Sequence, residues 1–223
     1  MMKRMVLAAL LCGICALGTS AQEKETKVAI DTNKGLITIK LYNETPLHRD
    51  NFIKLVKAHE YDGTLFFRVI NQFMIQAGDT QAKNPSIDDP VGEGGVDYTI
   101  PAEILFPKFY HKRGQVAAAR WGDDINPKRE SSGSHFYIVE GKKFTAEGLD
   151  KIEKEKNIKY TPEQREVYMT EGGTPHLDNA YTIFGEVLSG MDVVDSIQVV
   201  PTNPANDRPL ENVVIQSMKI VEE

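Results

Sequence analysis

From Val28 to Ile220 the chain is a succession of short alternating or β-branched runs with few helical segments between them. That spacing restricts the fold more than any other feature. Val28 to Thr32 alternates, Asn33-Lys34-Gly35 supplies a turn, and Ile37, Ile39 and Leu41 then share one face, so the two runs form a β-hairpin. Residues 64–70 and 73–77 read as strands broken at Asn71-Gln72, and 116–119, 136–139, 181–187 and 213–220 continue the series. Thr45-Pro46 opens a helix with a hydroxyl cap and with proline where no amide hydrogen is missed. Phe52, Leu55, Val56 and His59 follow at helical spacing, and a second short helix spans 190–197. Strands in this number, with few helices between them, favour an all-β dominated fold. The expected architecture is a closed or nearly closed antiparallel barrel capped by two helices, not a βαβ array.

Two segments stand apart from this pattern. Residues 1–21 combine Lys3 and Arg4 with an apolar run, Met5 to Leu17, too short to span a bilayer, and end in Thr19-Ser20-Ala21. This reads as a signal peptide cleaved before Gln22, so residues 22–223 are expected to be exported, periplasmic or secreted. Cys12 and Cys15 both fall in that leader. The mature chain then has no thiol, which excludes a disulfide scaffold, a thiolate nucleophile and thiol redox chemistry. Losing Lys3 and Arg4 takes the formal charge from −6 to −8, an acidic balance that argues against a nucleic-acid partner. No second apolar run approaches membrane length. About 200 residues suffice for one domain, and nothing demands more than a monomer.

The second segment, 142–173, is charged, and its Thr161-Pro162-Glu163-Gln164 is a capping box with proline at the first helical position. It reads as a helical excursion from the barrel, with too few apolar residues for a core of its own.

The chemistry concentrates in FFRVINQFMIQAGD (66–79), where Arg68 is the lone cation in an apolar strand, followed by Phe73, Met74, Gln76 and Asp79. A cation in such a run is costly to bury, so it belongs at a strand end or on a cleft wall. Strand parity puts Phe66, Arg68 and Ile70 on one face, and His135, Tyr137 and Val139 on a face opposite Phe136 and Ile138. Ser134 and His135 are adjacent on a strand and point apart, which removes a simple nucleophile–base pair. His48, His59, His111, His135 and His176 lack zinc-site spacing, and Asp88-Asp89 and Asp123-Asp124 lie in no EF-hand loop. Gly92, Gly94 and Gly95 lack the Lys-Ser/Thr pair of a phosphate loop. No cofactor or metal is implied.

FFRVINQFMIQAGD, SSGSHFYIV (131–139) and LDNAYTIFGEV (177–187) resemble the cyclophilin-type peptidyl-prolyl cis–trans isomerases, and ETPLHRDNF (44–52) and YDGTLFFRV (61–69) are similar to small bacterial members. The resemblance runs from about Val28 to Ile220, leaving out the excursion. It implies a closed eight-stranded antiparallel barrel capped by two helices, with a substrate groove on its outer face, proline-containing polypeptides as substrates, and Arg68 as catalytic arginine, oriented by Gln76. It implies that Phe73, Met74, Phe136, Tyr137 and Leu177 line the proline pocket or its wall, with Ala119 and Arg120 on the strand that contacts the substrate backbone. Tyr137 stands where the family usually has phenylalanine, Arg120 where it has asparagine, and Phe67 where it has histidine. His135 replaces a groove glutamine, His176 a tryptophan beside the pocket, and Tyr181 a later histidine. The loss of the tryptophan implies weak cyclosporin binding. A non-catalytic module or chaperone binding proline segments on the same scaffold is the alternative reading.

Overall fold

The computed structural model describes residues 24–222, so the leader read over 1–21 lies outside the described residues. The expected hairpin is β1 (Lys27–Thr32) and β2 (Gly35–Leu41), with Val28 opposite Ile39 and Ile30 opposite Ile37. Helix α1 (Pro46–Lys57) follows, then β3 (Phe66–Ile70) and β4 (Met74–Ala77). A long irregular stretch contains the two-residue strand β5 (Thr99–Ile100) and leads to β6 (Gln115–Ala118), β7 (Ser131–Ser132) and β8 (Phe136–Val139). The excursion holds α2 (Ala146–Lys156) and α3 (Pro162–Thr170). Then come β9 (Ile183–Ser189), α4 (Met191–Gln198) and β10 (Ile215–Glu222).

Eight strands form one curled antiparallel sheet in the order β10-β1-β2-β9-β6-β8-β4-β3, while β5 and β7 pair separately. Full closure, read from the sequence, is not what the ladders give. The outer strands β3 and β10 meet only where their chains approach, through an isolated bridge between Leu65 and Val214 and the bonds Phe66 N to Val213 O (2.9 Å) and Ile215 N to Thr64 O (2.8 Å). Further along β3 the Val69 amide donates to the Asp207 carbonyl at 2.9 Å. A loop thus takes the hydrogen bond that a closing strand would have used, and the edge is covered instead of paired.

The inner face of the sheet is apolar because its side chains have nowhere else to go. Val28, Ile30, Ile37, Ile39, Phe66, Ile75, Val116, Phe136 and Ile138 are essentially inaccessible, and α1 and α4 close over them with Phe52, Leu55, Val56, Val194 and Ile197. Each such burial contributes about 1.5–3 kcal/mol before ordering entropy is subtracted. Helices α1 and α4 are thus the two that cap the sheet.

Two local expectations need correction. The Thr45 hydroxyl does not cap α1; the Glu103 carboxylate does so from the irregular stretch, accepting from Leu47 N (3.1 Å) and His48 N (3.0 Å). A carboxylate serves this end better than a hydroxyl, because it also meets the positive pole of the helix. The excursion, in turn, does have a core. Leu149, Tyr160 and Tyr168 are buried together against Phe106, Tyr110, Phe144 and Ile152. Phe106 and Tyr110, two of its nine residues, lie outside the charged segment, and the other seven are scattered among charges within 142–173.

Candidate functional site

Strand β3 does not alternate. A β-bulge between Phe66 and Arg68 in its ladder with β4 gives it a surplus residue. Phe66 and Val69 therefore both enter the inner core, while Ile70 packs in a second apolar cluster on the outer face. Phe66 and Arg68 do not share a face, contrary to simple parity. Phe67, the residue between them, lays its ring 5.3 Å from that of His135.

Beyond the bulge the register assembles a row. Arg68 stands opposite Gln76, Gln76 opposite Tyr137, and Tyr137 opposite Ala117, across β3, β4, β8 and β6. Directly opposed residues on neighbouring strands point to the same face, so four separated segments deliver their side chains to one patch. That patch borders a cavity of about 210 Å³. Arg68, Met74, Gln76 and Tyr137 line it from the sheet, Ala119 and Arg120 from the end of β6, and Phe73, Leu177 and Tyr181 from connecting segments. Nine of the twelve residues singled out in the sequence are brought together here. The cavity is on the outer face, and the apolar cluster beneath it (Met74, Ala117, Tyr137, Val139, Ile183) is separate from the inner core.

The two cations of the cavity differ in freedom. Arg120 is pinned: its side chain is 4% exposed, its Nε donates to Ala180 O at 2.7 Å, and Nη1 reaches Trp121 O (2.8 Å) and Asp123 (2.7 Å). Its guanidinium also lies 4.6 Å from the Tyr181 ring centroid. Arg68 is 40% exposed and makes one contact, from Nε to Asp207 Oδ2 at 3.3 Å. Among the described residues its terminal nitrogens have no hydrogen-bond partner, so they can serve a ligand in the cavity. Gln76, assigned to orient Arg68, neighbours it without a hydrogen bond; Asp207 takes that place.

Three of the twelve residues lie elsewhere. Phe136 points to the inner core, 1% exposed and edge-on to Phe52 at 5.3 Å, because it alternates with Tyr137 along β8. It supports the sheet from behind and does not line the cavity. His135 packs on Phe67, away from the cavity, with Nε2 buried and unpartnered, and burial holds its pKa below the ordinary histidine value. The His176 ring lies tilted against that of Phe73, with centroids 5.3 Å apart, so it touches the wall and does not line the cavity. Asp79, at the end of the informative stretch, accepts from Gln81 N, Ala82 N, Gly92 N and Gly94 N and so shapes the irregular loop. The amides of Gly92 and Gly94 are thereby committed to a carboxylate within the chain.

Sequence reasoning missed two groups. Asp207 is 139 positions from Arg68 in a polar loop, and no local pattern marks it. His111 and Asp178 form a buried pair, Nδ1 to Oδ1 at 2.9 Å, and His111 Nε2 meets the Tyr137 hydroxyl at 3.0 Å. A histidine weighed only as a metal ligand gives no hint of such a pair.

A curled antiparallel sheet with an arginine-bordered cavity on its outer face defines the class, and comparison with known proteins agrees. Residues 27–220 match the family described as cyclophilin type peptidyl-prolyl cis-trans isomerase/CLD. A Staphylococcus aureus (strain USA300) protein bearing a peptidyl-prolyl cis-trans isomerase name is 33% identical over 208 residues, covering 92% of this chain and 97% of that protein. A Streptococcus pyogenes serotype M6 protein, named for both phosphatase and peptidyl-prolyl cis-trans isomerase, is 35% identical over 201 residues, covering 87% of this chain and 38% of that protein. Among solved structures, a Cryptosporidium parvum cyclophilin type peptidyl-prolyl cis-trans isomerase superposes with a TM-score of 0.65 at 23% identity, over 90% of this chain and 99% of that one. Its structure in the presence of the dipeptide Ala-Pro gives 0.64. The chain belongs to the cyclophilin-type peptidyl-prolyl cis–trans isomerase family.

Proposed function

We propose that this chain accelerates rotation about X-Pro bonds of exported polypeptides, with Arg68 as the group that favours the twisted amide. The observation that carries this reading is a guanidinium with free terminal nitrogens beside a cavity of about 210 Å³ walled in part by Phe73, Met74, Leu177 and the Tyr137 ring.

Rotation about an X-Pro bond faces a barrier of about 20 kcal/mol, because amide resonance resists twisting. No covalent bond is made or broken, so no nucleophile is needed; the site must hold the twisted amide better than either planar isomer. As the bond twists, the prolyl nitrogen loses conjugation and gains lone-pair character. An N–H of Arg68 donates toward that nitrogen and stabilises the pyramidal state. Phe73, Met74, Leu177 and the Tyr137 ring hold the pyrrolidine, and the backbone at Ala119 and Arg120 holds the flanking residues. Arginine suits the task because its planar fork can be anchored at Nε by Asp207 while another N–H faces the substrate. A donor fixed in advance is worth far more in a partly dry site than in water.

Arg68→Ala tests the reading. The variant should fold as the parent does and lose about 100-fold or more of kcat/KM on a cis-enriched X-Pro peptide. A folded variant with parental activity removes Arg68 from the mechanism. Binding without acceleration in the parent would favour a non-catalytic proline-binding module. The leader at 1–21 supports work outside the cytoplasm, which fractionation of the full-length protein would check.

A further inference from the structure

The excursion is joined to the cavity by a continuous buried hydrogen-bond chain. On the excursion side, Tyr160 and Tyr168 donate their hydroxyls to Asp178 Oδ2 at 2.8 and 2.5 Å. On the sheet side, Asp178 Oδ1 accepts from the His111 backbone N (2.7 Å) and ring Nδ1 (2.9 Å), and His111 Nε2 meets the Tyr137 hydroxyl at 3.0 Å. Every member is nearly inaccessible: Asp178 1%, His111 1%, Tyr168 0%, Tyr160 3%, Tyr137 4%. The Tyr137 ring lines the cavity.

The chemistry of the chain runs in one direction. A carboxylate this deep is tolerable only if its oxygens are supplied with donors, and two of its four come from the excursion. In the tautomer that carries its proton on His111 Nδ1, toward Asp178, Nε2 accepts the Tyr137 hydroxyl hydrogen. The Tyr137 ring is thereby fixed in rotation, and its hydroxyl hydrogen is turned away from the cavity. The same aspartate sets a second wall. Leu177, its neighbour in sequence, lines the cavity, and His176 backs Phe73. Three successive residues thus tie the excursion to both sides of the pocket.

We propose that Asp178 is a positioning residue for the pocket, acting through His111 on Tyr137, and that the excursion controls how well the pocket holds the prolyl ring by supplying the Tyr160 and Tyr168 hydroxyls. This rests on the reading of the cavity as the proline site. It assigns the excursion a part in substrate binding, where its sequence suggests only a surface appendage.

A hydroxyl-deletion cycle tests it, since each change removes one oxygen and keeps the ring. Y160F/Y168F should raise KM for an X-Pro tetrapeptide about three- to tenfold with kcat little changed, the signature of lost uniform binding. Y137F removes the terminal link, so Y137F/Y160F/Y168F should match Y137F alone, a non-additivity that independent sites do not show. In ring 15N spectra, His111 of the parent should show the Nδ1–H tautomer, and Y160F/Y168F should shift it. An unchanged KM in folded Y160F/Y168F, or effects that simply add in the triple variant, would overturn the proposal. If Y168F unfolds, Y160F alone carries the same comparison. A parent that neither turns over nor binds an X-Pro peptide would instead refute the proline-site reading, while the spectra still report whether the excursion governs His111.

Discussion

Asp207 Oδ2 lies 3.3 Å from Nε of Arg68, and both side chains are about two-fifths exposed. The same residue's carbonyl receives the Val69 amide at 2.9 Å. One loop residue thus covers the edge of β3 and anchors the guanidinium at its inner nitrogen, which leaves the outer nitrogens toward the cavity.

An exposed pair of this kind adds little to stability, about 1 kcal/mol or less, so Asp207→Asn should shift the thermal midpoint by no more than about 4 °C. Its cost should fall on catalysis, with kcat/KM lowered about three- to tenfold as the guanidinium loses its anchor. Arg68→Lys should lose nearly as much as Arg68→Ala, because an ammonium cannot hold Asp207 and face the cavity at once. Peptide isomerisation assays alongside melts separate the two effects. A large melting shift with intact turnover would make Asp207 purely structural.

Gly173 sits at the seam between the excursion and the sheet. A Cβ there would lie 2.3 Å from the His111 carbonyl and 2.7 Å from the Tyr168 ring, at a φ of +148°. Gly173→Ala should therefore cost about 2–3 kcal/mol, seen in calorimetry as a midpoint lowered by about 5–10 °C. An unshifted midpoint would mean that the seam yields more readily than its geometry implies.

Acid should weaken the fold through buried histidines. Burial holds His48, His135 and His176 below the ordinary histidine pKa, with Glu103 partly offsetting this for His48 and Asp79 for His135. A depressed folded value means that the unfolded chain binds the proton more readily. The stabilisation is then present above about pH 6.5 and is lost as pH falls through the folded values. Midpoints measured between pH 7 and 5 should decline, and His135→Gln should decline less steeply. Glu140, whose pKa burial raises, acts in the opposite sense in both proteins and cancels in the comparison. Parallel curves would show that His135 does not contribute.

The capping box of α3 offers a graded test. Thr161 Oγ1 accepts from Gln164 N at 3.2 Å, and Gln164 Oε1 accepts from Thr161 N at 3.0 Å. Thr161→Ala should cost about 1 kcal/mol. Gln164→Ala should cost more, about 1–3 kcal/mol, since it also strands the Pro107 carbonyl that Gln164 Nε2 reaches at 2.9 Å. Denaturant midpoints rank the two, and the reverse order would deny the Pro107 contact any weight.

Much of this was legible in the sequence, and what was hidden has physical causes. Regular alternation exposed the hairpin and β8, and proline with threonine exposed α3, because those signals are local. The quoted motifs contain seven of the nine cavity residues, and the family resemblance they carry extends to the other two, Ala119 and Arg120. Two adjacent aromatics, Phe66 and Phe67, mask the bulge, since either could face inward. Asp207, Glu103 and the His111–Asp178 pair join residues far apart in sequence, and such pairings leave no trace in local spacing. The core of the excursion escaped notice because its own apolar residues are spread among charges and two further members, Phe106 and Tyr110, precede it by more than thirty positions.

The surplus residue in β3 makes strand register a guarded quantity. Were the strand to pair at its present length without the bulge, everything beyond Phe66 would turn by half a pleat, swinging the guanidinium into the oily interior and Val69 out into water. Natural variation at Phe66 or Val69 can therefore exchange one hydrocarbon for another. Changes that flatten the bulge without shortening the strand, however, should be rejected by any selection that retains activity.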